Sequence, residues 1–228
     1  MQWVILYVLF AILLKIISGE NTVLRIIGGR DANVGDYPFI VILAYKVVID
    51  SVPEDQLVCT GGVLTPTWTL SAAHCVVQKR KPIEYIWYGT LENNAASKLI
   101  FTVIHPAYRR TPYSIYNDIA LLKTETIPLK QYARVSALDY TTMVGQEVIL
   151  TGFGVTNTTD DKVGVALSVN KPLQLLDLIV VHCNEIQQKT LKPAMCLARR
   201  CGKSSGSCPG DSGGPVIHAS GIVGVNSI

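Results

Sequence analysis

Gly210-Asp211-Ser212-Gly213-Gly214-Pro215 is the stretch on which the reading of this chain turns. A serine set among residues that permit sharp turns and close backbone approach is held with its hydroxyl exposed. The same turn lets the backbone N–H groups of Gly210 and Ser212 point at a developing oxyanion, often the largest electrostatic contribution in acyl transfer. An ordinary glycine-rich turn would account for part of this run, but the whole run in this order points to a nucleophile.

A serine hydroxyl is a weak nucleophile at neutral pH and needs a base, together with an acid that orients the base. The chain has four histidines. His74 lies in Leu70-Ser71-Ala72-Ala73-His74-Cys75, beside a cysteine that a disulfide to Cys59 can pin. His105 precedes Pro106 in a turn-like segment, His182 abuts Cys183, and His218 follows the serine; these three read as structural or exposed. Asp118 opens Asp118-Ile119-Ala120-Leu121-Leu122, so a carboxylate leads directly into an apolar run that predicts a buried strand. A buried Asp needs a hydrogen-bonding partner. The His74 imidazole N–H supplies one and thereby fixes the tautomer whose other nitrogen accepts the serine proton.

Around these residues the sequence breaks into short β-branched and aromatic runs separated by Gly, Pro, Asn and Asp, an all-β pattern of the barrel or sandwich type. The expected strands are Phe39–Tyr45, Cys59–Leu64, Ile83–Tyr88, Leu99–Ile104, Glu147–Thr151, Val165–Val169 and Gly221–Val225, with one short helix at Ala72–Val77. Lys and Arg number 20 against 17 Asp and Glu, and the positive charges are scattered, which argues against a nucleic-acid partner. The apolar run from Trp3 to Leu14, followed by Ser18 and Gly19, reads as a signal peptide over residues 1–19 rather than a stable membrane anchor. Six cysteines behind such a leader fit a secreted, extracellular protein whose thiols pair as disulfides. No C-x-x-C or clustered Cys/His spacing appears, so neither a metal nor another cofactor is expected. Asn157-Thr158-Thr159 is a glycosylation sequon in a polar stretch.

The His74, Asp118 and Ser212 motifs, in that order, resemble the chymotrypsin and trypsin family of serine proteases, the family on which the Ser-His-Asp template rests. The resemblance runs from Arg25 to the end and implies two packed six-stranded antiparallel β-barrels with the triad between them. Arg25-Ile26-Ile27-Gly28-Gly29 resembles a zymogen activation site: cleavage after Arg25 would free the Ile26 α-ammonium to pair with Asp211 and shape the oxyanion site. Residues 20–25 are then a propeptide and 26–228 the protease domain, with halves near 26–130 and 131–228. By the same resemblance Cys183 and Cys196 form a disulfide, Gly206 stands at the base of the primary substrate pocket, and Gly224-Val225-Asn226 replaces the family's Ser-Trp-Gly, with Asn226 narrowing the pocket mouth. An uncharged Gly206 makes a pocket that is not trypsin-like. The family continues past the position of Ile228 through a pocket wall, a final strand and a helix, which would leave the second barrel incomplete and the partner of Cys208 missing, with Cys201 as an alternative.

The implied protein is a monomeric endopeptidase acting on protein or peptide substrates, activated by a trypsin-like protease and open to protein protease inhibitors. The rival reading is a catalytically impaired homologue with a binding or regulatory role. An α/β-hydrolase, suggested by the formal G-x-S-x-G match, fails because its Asp and His should follow the serine.

Overall fold

The computed structural model describes residues 29–49, 51–77, 82–89, 94–154, 172–199 and 210–227. The leader, the Arg25–Ile26 bond, the Asn157 sequon, the expected strand Val165–Val169, Cys201, Gly206 and Cys208 lie outside those residues.

The first half runs β1 (Arg30–Asp31), β2 (Ile40–Ile49), β3 (Val52–Thr65), β4 (Trp68–Ser71), helix α1 (Ala73–Val77), β5 (Tyr85–Gly89), β6 (Asn94–Ile104), β7 (Arg109–Arg110), β8 (Ile115–Tyr116) and β9 (Ala120–Thr124). Six of these strands close into a barrel in the order β2-β3-β4-β9-β6-β5. Alternation explains the closure: in β9, Ala120, Leu122 and Thr124 face inward while Leu121 and Lys123 are only partly covered. Leu43, Ile86 and Leu122 are fully buried at the centre. A closed barrel leaves no unpaired strand edge.

The second half contains a 3₁₀ turn (Tyr140–Thr142), β10 (Glu147–Gly152), β11 (Gln174–Val181), helix α2 (Glu185–Thr190), β12 (Leu191–Lys192), β13 (Cys196–Ala198), β14 (Pro215–His218) and β15 (Gly221–Val225). Its sheet runs β1-β11-β10-β14-β15, with β13 also on β11, and is open among the described residues. Met143, Val148, Leu150, Leu176, Leu178, Val180 and Val216 form its core. Asn184 and Gln187 cap α2 reciprocally, side chain to backbone in both directions.

Two strand pairings cross between the halves. β1 belongs by sequence to the first half yet pairs with β11, and the two-residue strands β12, β8 and β7 form a small sheet that draws residues from both. Disulfides link Cys59 to Cys75 and Cys183 to Cys196. No described helix is long and apolar enough to cross a membrane.

Candidate active site

α1 directly follows barrel strand β4, and its second residue is His74, whose side chain is only 8% exposed. The Cys59–Cys75 bridge anchors the next residue to β3, so the backbone on which the imidazole stands is fixed from one side. Asp118 arrives from the other side, between β8 and β9. The chain turns into it through Asn117, whose φ of 49° lies in the left-handed region that Asn tolerates better than most residues. Asn117 is held there by donating from Nδ2 to the Ala107 carbonyl and from its backbone N–H to the Lys192 carbonyl.

The two side chains meet in a two-point contact. His74 Nδ1 lies 2.6 Å from Asp118 Oδ2, and the His74 backbone N–H donates to Oδ1 at 2.8 Å. With Nδ1–H committed to the carboxylate, Nε2 is left as the acceptor. Burial alone would raise the Asp118 pKa; the His74 hydrogen bond and charge, the Ser227 hydroxyl and the His74 N–H together outweigh it and hold the carboxyl below its ordinary range. Ser227 Oγ donates to Asp118 Oδ2. The sequence reading passed over Ser227, which carries no motif and lies just beyond β15. Tyr108, whose buried hydroxyl has no described hydrogen-bond partner, also feels this carboxylate: burial, then the Asp118 charge, pushes its pKa up.

Ser212 is 8% exposed and sits on a turn pressed against the first half. The Thr60 backbone N–H donates to the Ser212 carbonyl at 2.8 Å, and Thr60 Oγ1 donates to the Gly210 carbonyl at 2.8 Å while accepting from the Phe153 N–H at 3.1 Å. Gly213 has φ of 81°, and a Cβ there would fall 2.1 Å from Ser71 Oγ and 3.1 Å from the Ala72 backbone nitrogen. Only glycine lets the turn that bears Ser212 lie this close to the segment that leads into α1. Asp211 is fully buried and accepts from the Gly154 N–H at 2.7 Å; a Cβ on Gly154 would meet its carboxylate at 2.5 Å. No described residue accepts from the Gly210 N–H. Asn226 is committed to the same turn, donating from its backbone to the Gly214 carbonyl and from Nδ2 to the Asp211 carbonyl, and accepting from the Gly213 N–H.

His105 and His218 are occupied locally, accepting from the Ala107 N–H and the Ser220 N–H. Cys59, His74 and Cys75 lie close enough to share a metal, but the two sulfurs are joined to each other. A cavity of about 1070 Å³ lined by Arg30, Tyr37, Arg134, Glu147 and Asp177 contains none of His74, Asp118 or Ser212.

A family model described as trypsin matches residues 26–228. The chain belongs to the trypsin family. A trypsin from Phaedon cochleariae is 30% identical over 224 residues, covering 91% of this chain and 79% of that protein. Human granzyme M is 27% identical, covering 90% and 78%, and phenoloxidase-activating factor 3 of Holotrichia diomphalia is 25% identical, covering 86% and 61%. The solved structure of mouse neuropsin, a serine protease, superposes with a TM-score of 0.68 at 21% identity over 88% of this chain and 86% of that one, a likeness of fold. Trypsin-family membership accounts for the closed barrel beside a second sheet and for the serine-protease character of the relatives.

Proposed function

We propose that the chain is a secreted serine endopeptidase in which Ser212 is the nucleophile, His74 the general base and Asp118 the residue that orients it. The observation that carries this reading is the two-point grip of Asp118 on His74, which leaves Nε2 as the acceptor, together with the packing of the Ser212 turn against the segment that leads into α1. His74 Nε2 takes the proton from Ser212 Oγ as the oxygen attacks the scissile carbonyl. The backbone N–H groups of Gly210 and Ser212 bind the oxyanion. His74 then returns the proton to the leaving amine, and water, deprotonated in the same way, releases the acyl group.

Activation follows cleavage after Arg25 by a trypsin-like protease, with the freed Ile26 ammonium pairing with the buried Asp211. The Gly206 pocket accepts uncharged side chains, so the enzyme does not activate itself. One relative is by name an activating factor for another enzyme, which fits a zymogen that works within a proteolytic sequence and meets protein inhibitors there. The buried Asp118 carboxylate accepts from both the His74 imidazole and the His74 backbone N–H, an arrangement that orients a general base, and for that reason activity is preferred over the impaired alternative.

The test is fluorophosphonate labelling of the secreted protein before and after cleavage at Arg25. Labelling is expected only after cleavage, and Ser212→Ala or His74→Ala should abolish it, because nucleophile and base act as a unit. Labelling that survives Ser212→Ala would place the nucleophile elsewhere.

A further inference from the structure

The small sheet beside Asp118 carries an unused pair of cations. Its register aligns Arg109 with Tyr116 and Tyr116 with Lys192, so the three residues form one row across β7, β8 and β12. Residues directly opposite in a sheet present their side chains to the same face. The Arg109 guanidinium indeed lies over the Tyr116 ring, 4.4 Å from its centroid. Arg109 and Lys192 are exposed, and among the described residues neither pairs with a carboxylate. Hydrogen bonds from Ser114 and then from Arg109, with the Lys192 and Arg109 charges behind them, hold the Tyr116 phenol below its ordinary range.

This row is tied to the proposed reaction centre by covalent and backbone links. Tyr116 is two residues from Asp118, and the intervening Asn117 donates its N–H to the Lys192 carbonyl at 2.8 Å. The row therefore draws one cation from the first half and one from the second, next to the acid that orients His74.

We propose that Arg109, Tyr116 and Lys192 form a carboxylate-binding subsite that makes the enzyme prefer peptide substrates with an acidic side chain near the scissile bond; this rests on the serine endopeptidase reading above. Two cations flanking one ring match a single carboxylate. The guanidinium offers paired N–H donors, the ammonium a point charge, and the tyrosine a hydroxyl and an apolar edge against which the substrate stem packs. The span is one residue on each of three short strands, which suits one side chain of a bound peptide better than a long polyanion.

The experiment uses the full chain cleaved at Arg25, first titrated with a fluorophosphonate. Peptide amides are then compared in which a single Glu replaces Gln at each position around the scissile bond. At one position Glu should raise kcat/KM by about five- to tenfold, the scale of one or two partly exposed ion pairs. That advantage should shrink in higher salt. Arg109→Gln and Lys192→Gln should each lower the Glu/Gln ratio, and together bring it to about one. A fully titratable enzyme that shows no Glu preference anywhere, or one whose preference survives the double substitution, overturns the subsite. So does a heparin-type polyanion that changes the rate through Arg109 and Lys192 while Glu and Gln peptides are cleaved alike. Failure to label with fluorophosphonate overturns the endopeptidase reading itself, and the subsite with it.

Discussion

The two halves of the molecule contribute to the candidate site in different ways. The first half is a closed barrel, and it supplies both His74 and Asp118: β4 leads into α1, a fully buried disulfide pins the next residue, and Asp118 lies just ahead of β9. The second half adds the Ser227 hydroxyl on Asp118 and the Lys192 carbonyl that holds Asn117. The second half is an open sheet among the described residues. Its disulfide, Cys183–Cys196, is only half-buried and remote in sequence from Ser212. The turn that carries Ser212 takes much of its support from the first half, through Thr60 and through the close approach of Gly213 to Ser71. Both side chains of the His74–Asp118 pair thus come from one half, with supporting hydrogen bonds from the other, whereas the placement of the Ser212 turn depends on contact between halves. Substitutions in the first half should strike the chemistry, and substitutions at the seam should strike alignment and stability together.

The sharpest break of that division is Asp118→Asn. The amide keeps the shape but favours the wrong histidine tautomer, so kcat should fall by about 10⁴-fold, the loss known for the equivalent change in the family's reference protease, while the fold survives. Circular dichroism and active-ester turnover on the same sample check it; a variant retaining a tenth of wild-type turnover would show that the two-point grip does not govern the reaction.

A smaller effect is expected at the seam. Thr60→Val keeps the volume but leaves the Gly210 carbonyl and the Phe153 N–H without their buried partner, a loss of about 1–3 kcal/mol in stability. The urea midpoint should fall and acylation should slow in parallel. Slower acylation with an unshifted midpoint would detach alignment from stability and break the comparison.

The smallest effect concerns Ser227 and is read against pH. The Asp118 pKa is depressed in the folded state, so the stability it contributes is fully present above the unfolded value, about 3.9, and is lost as pH falls through the folded value. Ser227→Ala removes one of the bonds that depress it. The variant should be less stable at neutral pH, and its urea midpoints should converge with wild type as pH drops from 5 to 2. A constant offset at every pH would mean that Ser227 acts by packing rather than by charge.

What could be read in advance follows from how local each signal is. Ser212 and His74 stand in short runs whose residues declare a turn and a cysteine-anchored segment, and Asp118 leads an apolar run that becomes β9. The strands at Phe39–Tyr45 and Cys59–Leu64 were legible, but their extension into the long β2/β3 hairpin was not, because Tyr45 to Gln56 alternates weakly. β4 is four residues long and is defined by partners on both sides, β3 and β9, that sequence cannot supply. Helix α2 announced itself through Asn184 and Gln187 at capping-box spacing, a signal the strand-dominated pattern overshadowed. Ser227 carried no signal at all: its role exists only because β15 brings it back to a carboxylate 109 positions earlier. Asn226 likewise meets the Ser212 turn through three hydrogen bonds that depend on the same return.

The central claim is that Ser212, positioned from across the seam, is acylated with the help of His74 and Asp118. Its most direct measurement is rapid acid quench of the cleaved enzyme during turnover of an active ester, followed by intact mass and peptide mapping. The account predicts a burst of one acyl group per titratable site, carried on the peptide containing Ser212 and absent from His74→Ala. Turnover without a covalent adduct, or an adduct on any other residue, would contradict it.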